Sequence, residues 1–128
     1  MNPPSSLPQP LALVIEDDQQ LAEIFSKALA LADYHTEIIA DGAMAMVRLS
    51  QVVPQLIVLD LHIPYIPGNK LLAKIRTDPL LQKTTVIVAT ADSIMAASLE
   101  DQADFVLLKP ISFAQLRDIA LRLKSARQ

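Results

Sequence analysis

The sequence specifies an α/β domain built on an open parallel sheet of five strands, doubly wound by five helices, the fourth short or irregular. The first sign is order. From Leu11 onward, short apolar runs alternate with helix-period patterns, as β-α units around a parallel sheet do. The second is that the runs are continuously apolar, as expected of strands covered on both faces. The third is the set of polar residues that terminate the runs. Glu16 and Asp17, Asp60, Thr90 and Lys109 stand at or just past the ends of Ala12–Ile15, Leu56–Leu59, Val86–Ala89 and Phe105–Leu108. In an open parallel sheet those ends share the edge where ligands bind.

Residues 1–10 read MNPPSSLPQP, with four prolines and two serines, a composition expected to be a disordered tail ahead of a domain at 11–128. Leu11–Ile15 forms the first strand, and Asp18 is placed to cap the first helix. Leu21, Ile24, Phe25, Ala28, Leu29 and Ala32 make that helix's apolar face at 3.6-residue spacing. His35 falls in a turn before a weaker edge strand at Thr36–Ile39. Asp41-Gly42 opens a second helix that buries Ala45, Met46 and Leu49, and Pro54 closes the segment. Leu56–Leu59 is the central strand. Pro64, Pro67 and Gly68 make the next loop sharp and stiff.

The third helix turns Leu71, Leu72 and Ile75 inward and stops before Asp78-Pro79. Val86–Ala89 is the fourth strand, residues 92–104 carry the weak fourth helix, and Phe105–Leu108 is the fifth strand. Ser112 and Gln115 form a capping box for a last helix burying Leu116, Ile119, Ala120 and Leu123. Right-handed crossovers then place helices on both faces of the sheet.

A chain of 128 residues fits one domain, and 52% hydrophobic residues suffice for a core. A net charge of −3 and scattered basic residues argue against a nucleic-acid surface. No cysteine is present, which excludes disulfides and thiolate metal sites. No apolar run is long enough to cross a bilayer, and no secretory leader is recognisable, so a cytoplasmic location is expected. The residues after Lys109 are used up by one helix, so a stand-alone module without a DNA-binding or enzymatic output domain is expected.

Taken singly, the residues at the strand ends have ordinary explanations. Aspartates cap helices, Asp60 could be a turn residue, Thr90 a strand-end hydroxyl, and Lys109 a solvated lysine. Together they would form one acidic pocket. A carboxylate at Asp60, on the central strand, can attack phosphorus and become an acyl phosphate. Glu16, Asp17 and one oxygen of Asp60 suit Mg²⁺, which takes a few carboxylates plus waters and phosphoryl oxygens. Lys109 adds a second cation, and Thr90 can hydrogen-bond a phosphoryl oxygen. Phosphoryl transfer needs mainly positioning and charge neutralisation, and these groups supply both.

The segments LVIEDDQQL, LIVLDLHIPYIPG, VIVATA and FVLLKPIS, in that order, make residues 11–126 resemble a response-regulator receiver domain, the CheY-like phosphoacceptor module of two-component signalling. The resemblance implies a flavodoxin-like sheet of order 2-1-3-4-5. Glu16 and Asp17 would be the acidic pair, Asp60 the phosphorylated aspartate, Thr90 the switch hydroxyl and Lys109 the invariant lysine. The backbone carbonyl of His62 would be a further Mg²⁺ ligand. The implied donor is a sensor histidine kinase or phosphotransfer protein. Output would go through a downstream protein, with no nucleic acid or membrane contact, from a monomer or weak dimer. Such a domain catalyses its own phosphorylation and dephosphorylation and is not a turnover enzyme.

Three departures fall on the expected output face. Val106 stands where the family usually has an aromatic ring, Gln102 replaces a usual glycine, and the 91–104 segment is about one turn short. Beside the pocket, His62 and Asp92 are either solvated loop residues or, as in the family, groups that tune water's access to the phosphoryl group. Other readings are a receiver-like scaffold that has lost switching and an aspartyl-nucleophile phosphatase. The phosphatase usually needs an acidic residue where His62 stands. A nucleotide or flavin binder lacks its G-x-G-x-x-G or P-loop.

Overall fold

The computed structural model describes residues 9–126, so the disordered-tail reading of residues 1–10 lies, but for Gln9 and Pro10, outside the described residues. Five strands alternate with five helices. They are β1 (Leu11–Ile15), α1 (Gln19–Leu31), β2 (His35–Ile39), α2 (Gly42–Leu49), β3 (Leu56–Leu59), α3 (Gly68–Thr77), β4 (Thr85–Thr90), α4 (Ser93–Ser98), β5 (Phe105–Leu108) and α5 (Phe113–Ala126). A single 3₁₀ turn, Pro79–Leu81, comes after α3. The sheet order is β2-β1-β3-β4-β5, with every pair parallel. This is the doubly wound arrangement expected from the sequence.

Alternation along the strands divides the core in two. Ala12, Val14, Leu56 and Val58 pack with Phe25 and Leu29 of α1 and Leu116 and Ile119 of α5. Leu13, Ile15, Ile57 and Leu59 face the other way, onto Ala45 of α2 and Leu71, Leu72 and Ile75 of α3. The register sets Ile15 beside Leu59, Leu59 beside Val88 and Thr90 beside Leu108. The residues just past these strand ends are therefore delivered to one edge.

Four helices start on side-chain caps, each satisfying an amide that the helix leaves unpaired. Asp18 Oδ1 accepts from Leu21 N at 3.1 Å, and Asp41 Oδ1 from Met44 N at 2.7 Å. Asp92 Oδ1 accepts from Met95 N at 2.9 Å, and Ser112 Oγ from Gln115 N at 3.0 Å.

Some details differ from the sequence reading. His35 is the first residue of β2, not a turn residue, because its amide bonds Pro10 O at 2.9 Å and so extends the β1–β2 ladder. Ile24 is 42% exposed, while Ala22, read as outside the apolar face, is fully buried. The stripe of α1 is centred on Ala22, Phe25, Ala28 and Leu29, whose two alanines let the helix lie close to the sheet and α5. Met46 and Leu123 are half-buried at the margins of the two cores. Strand β4 runs one residue further at each end, to Thr85 and Thr90. The weak fourth helix is real and six residues long.

Candidate functional site

Each site residue is held by the strand that ends before it. Glu16 N bonds Ile39 O at 3.0 Å, Asp60 N bonds Ile15 O at 3.0 Å, and Lys109 N bonds Thr90 O at 2.8 Å. These bonds stitch β2 to β1, β1 to β3 and β4 to β5 at the same level of the sheet. The side chains then converge. Lys109 Nζ donates to Glu16 Oε1 at 2.6 Å and to Asp60 Oδ2 at 3.3 Å. Glu16 also accepts from Asp18 N, through Oε2 at 3.2 Å. Glu16 and Asp60 are buried and Thr90 has no exposed surface, whereas Asp17 is exposed. The pocket has a buried floor and an open side.

Carboxylate oxygens of Glu16, Asp17 and Asp60 lie within 4.8 Å of one another. Such a set of hard oxygen donors with one solvent-facing side fits a divalent cation that keeps several waters, as Mg²⁺ does. The carbonyl of His62 accepts no hydrogen bond from the described residues, which leaves it available to the same ion. The electrostatics point the same way. Burial, reinforced by the charge of Asp60, raises Glu16 to a pKa of about 7 although Lys109 opposes the shift. Burial works against the Lys109 ammonium, but its hydrogen bond to Glu16 and the charges of Asp60 and Glu16 outweigh burial and hold it protonated. A second cation would relieve a pocket with more carboxylates than one lysine can serve.

The loop that carries Asp60 is fixed from two sides. A Cβ on Gly68 would sit 2.3 Å from Asp60 O and 2.7 Å from Leu61 Cα, so α3 starts directly against the Asp60 backbone. Gly42 N donates to Pro64 O at 3.0 Å, and a Cβ there would meet Ile66 O at 2.1 Å. Glycine is required at both positions by close backbone approach.

At the mouth, His62 Nε2 and Asp92 Oδ2 are 2.9 Å apart. Both had an alternative reading as solvated loop residues. In the structure Asp92 caps α4, and its carboxylate is held below the usual range first by the Met95 amide and then by His62. His62 N donates to Asp60 Oδ1 at 3.3 Å, and Asp92 N donates to Thr90 Oγ1 at 3.2 Å. The bridge thus joins the loops after β3 and β4. The sequence held a weak signal for it, since each residue lies two positions past a strand-end group.

Val106 is half-buried against the second core cluster. Gln102 O accepts from Arg76 Nε at 2.6 Å. Arg76 also donates to Thr84 O at 2.9 Å and to Asp104 Oδ2 at 2.7 Å. The loop before β5 is therefore clamped to α3, a role for Arg76 that nothing in the sequence announces.

Comparison with known proteins agrees with this geometry. A family model described as the response regulator receiver domain matches residues 12–121. The DNA-binding response regulator MtrA of Mycobacterium tuberculosis is 29% identical over 104 residues, covering 81% of this chain and 46% of MtrA. The chain thus spans about half the length of the curated relatives it matches. Among solved structures, the signal receiver domain of a signal transduction histidine kinase from Syntrophus aciditrophicus is 31% identical. It has a TM-score of 0.81 and covers 91% of both chains. The Mn²⁺-bound form of response regulator Rcp1 is 27% identical with a TM-score of 0.74, over 91% of this chain and 92% of that one. The chain belongs to the response regulator receiver domain family.

Proposed function

We propose that this chain is a phosphorylation switch in which Asp60 accepts a phosphoryl group from the phosphohistidine of a sensor kinase or phosphotransfer protein, in a Mg²⁺-dependent reaction. The observation that carries the reading is the placement of Lys109 Nζ between Glu16 and Asp60 beside an open-sided cluster of three carboxylates. An Asp60 carboxylate oxygen attacks phosphorus and forms a P–O bond. The P–N bond to the donor imidazole breaks, its electron pair stays on nitrogen, and that nitrogen takes a proton. Mg²⁺, when bound by Glu16, Asp17, Asp60 and the His62 carbonyl, supplies the charge that offsets the clustered carboxylates and the phosphoryl oxygens.

Lys109 neutralises phosphoryl charge from the other side. Thr90 Oγ1 already accepts from Asp92 N, so its own proton is free to donate to a phosphoryl oxygen. Later attack of water on phosphorus breaks the P–O bond and returns the carboxylate and inorganic phosphate, so the chain catalyses only its own cycle. Output then runs through a protein partner. A second reading, a scaffold without phospho-switching, draws on Val106, which offers no ring to swing inward. It requires partner binding that ignores both Mg²⁺ and phosphodonor.

Intact-protein mass spectrometry after incubation with acetyl phosphate and Mg²⁺ separates these. One added phosphoryl group, lost in Asp60→Asn and in EDTA, is the expected result. Labelling that survives Asp60→Asn would overturn the assignment.

A further inference from the structure

Lys109 reaches the pocket from the end of β5, a lightly supported strand. It has one strand neighbour, β4, and α4 before it is only six residues long. Its four residues are apolar throughout and none is fully buried. Phe105 and Leu107 lean on one core cluster and Val106 on the other. A run without polar alternation marks no register of its own. The marks are its polar flanks, Asp104 before the strand and Lys109 after it.

Asp104 is tied twice to β4. Its amide donates to Val86 O at 2.9 Å, and its Oδ2 accepts from Val86 N at 2.8 Å. Arg76 Nη2 donates to the same oxygen, while Nε and Nη1 hold the carbonyls of Gln102 and Thr84. Thr84 is anchored in turn, its Oγ1 donating to Pro54 O at 2.7 Å. These bonds level the starts of β3, β4 and β5 at the edge away from the pocket, and Arg76 joins β5 to that line from α3.

In the unmodified protein Lys109 Nζ rests on Glu16 and Asp60. A phosphoryl group on Asp60 draws it away, and its reach is then set by where β5 delivers its backbone. One residue of strand spans about 3.3 Å, and a misplacement of about 1 Å at a transferring group can cost about a hundredfold in rate. We infer that Arg76 is a positioning residue for Lys109: by binding Asp104 and the Gln102 carbonyl from α3, it sets the height of β5 and so the point from which Lys109 meets the phosphoryl group. The inference rests on the phosphoacceptor reading above. Arg76 acts from a distance, since it lies in the last turn of α3 and its guanidinium bonds go only to Gln102, Thr84 and Asp104 among the described residues.

The test measures the second-order rate constant for acetyl phosphate labelling in Mg²⁺, by intact-protein mass spectrometry. Wild type, Arg76→Met, Lys109→Gln and the double variant are compared at a temperature where circular dichroism shows all four folded. Arg76→Met should slow labelling about tenfold, and Lys109→Gln about a hundredfold. In the Lys109→Gln background, Arg76→Met should change the rate by less than about twofold, because a residue that acts through Lys109 has nothing left to place. The ¹⁹F spectrum of the beryllium trifluoride complex gives a second readout: Arg76→Met should shift the same fluorine resonance that Lys109→Gln shifts. Should Arg76→Met fail to fold, Asp104→Asn replaces it. The Asn oxygen still accepts from Val86 N, and the loss should be about threefold and absent in the Lys109→Gln background.

Unchanged labelling in Arg76→Met, or in Asp104→Asn where that variant stands in, overturns the inference. So does a full further loss in the Lys109→Gln background, which would mark a general loosening of the fold. Failure of acetyl phosphate to label wild type would instead strike the phosphoacceptor reading.

Discussion

Asp92 Oδ2 lies 2.9 Å from His62 Nε2 while Oδ1 of the same carboxylate caps α4 through Met95 N at 2.9 Å. One side chain therefore links the loops after β3 and β4 and anchors the helix beyond them. His62→Ala, which leaves the cap intact, should shorten the half-life of the phosphorylated protein by about twofold or more. Decay of the acyl phosphate, tracked by mass spectrometry in Mg²⁺, measures it. An unchanged half-life would leave the bridge no part in guarding the phosphoryl group.

The pH dependence of the metal-free protein should carry the mark of Glu16. Its pKa of about 7 in the fold exceeds the ordinary 4.5, so between those values the folded protein binds more protons than the unfolded chain. Stability from this group is fully present below the lower value and is lost as pH rises through the upper one. The carboxylates held low, Asp33, Glu37 and Asp92, lose their contribution only in more acidic solution. Urea unfolding in EDTA should thus show stability rising on the order of 2 kcal/mol as pH falls across the window. Glu16→Gln should flatten that slope. Added Mg²⁺ competes with the proton, so its stabilisation should grow with pH. A Mg²⁺ effect independent of pH would contradict the assignment of Glu16 as a ligand.

Gly68→Ala inserts a methyl group 2.3 Å from the carbonyl oxygen of Asp60. Only backbone movement can accommodate it, at an expected loss of about 2–3 kcal/mol. Because the atom displaced belongs to Asp60, the proposed phosphoacceptor, labelling by acetyl phosphate should slow as well. A variant with native stability and native labelling would mean that α3 can shift away from β3 without consequence.

Arg76 serves Gln102 O, Thr84 O and Asp104 Oδ2 together, and Asp104 in turn accepts from Val86 N at 2.8 Å. Arg76→Met keeps much of the stem but strips these acceptors of their partner, at a cost of about 2 kcal/mol. Hydrogen exchange across residues 99–105 should accelerate before the rest of the sheet loosens. Uniform acceleration would argue against a local clamp.

The sheet and the strand-end cluster were legible because they rest on short-range regularities. Leu56–Leu59 is apolar at every position, and the structure buries all four residues. The order of the runs then decides which ends meet. The features that escaped depend on distances between loops, which periodicity does not encode. The His62–Asp92 bridge needs the relative height of two loops, and the Arg76 clamp joins α3 to a segment 26 residues away. The positive φ of Tyr65 carries no signature in a residue that is not glycine or asparagine. The misplacement of Ile24 is of another kind: spacing gives a helix face to within about one residue, and the alanines that set the true centre of α1 weigh little in an apolar pattern.

The Lys109–Glu16 bond joins positions 93 apart in the chain. A chain shorter than 109 residues cannot make that pair. Lys109 follows β5, which sits beside β4 at the end of the sheet order, so undocking β5 alone would remove the one ammonium that bridges the carboxylates after β1 and β3. The charge balance of the cluster thus hangs on an outer strand of the sheet.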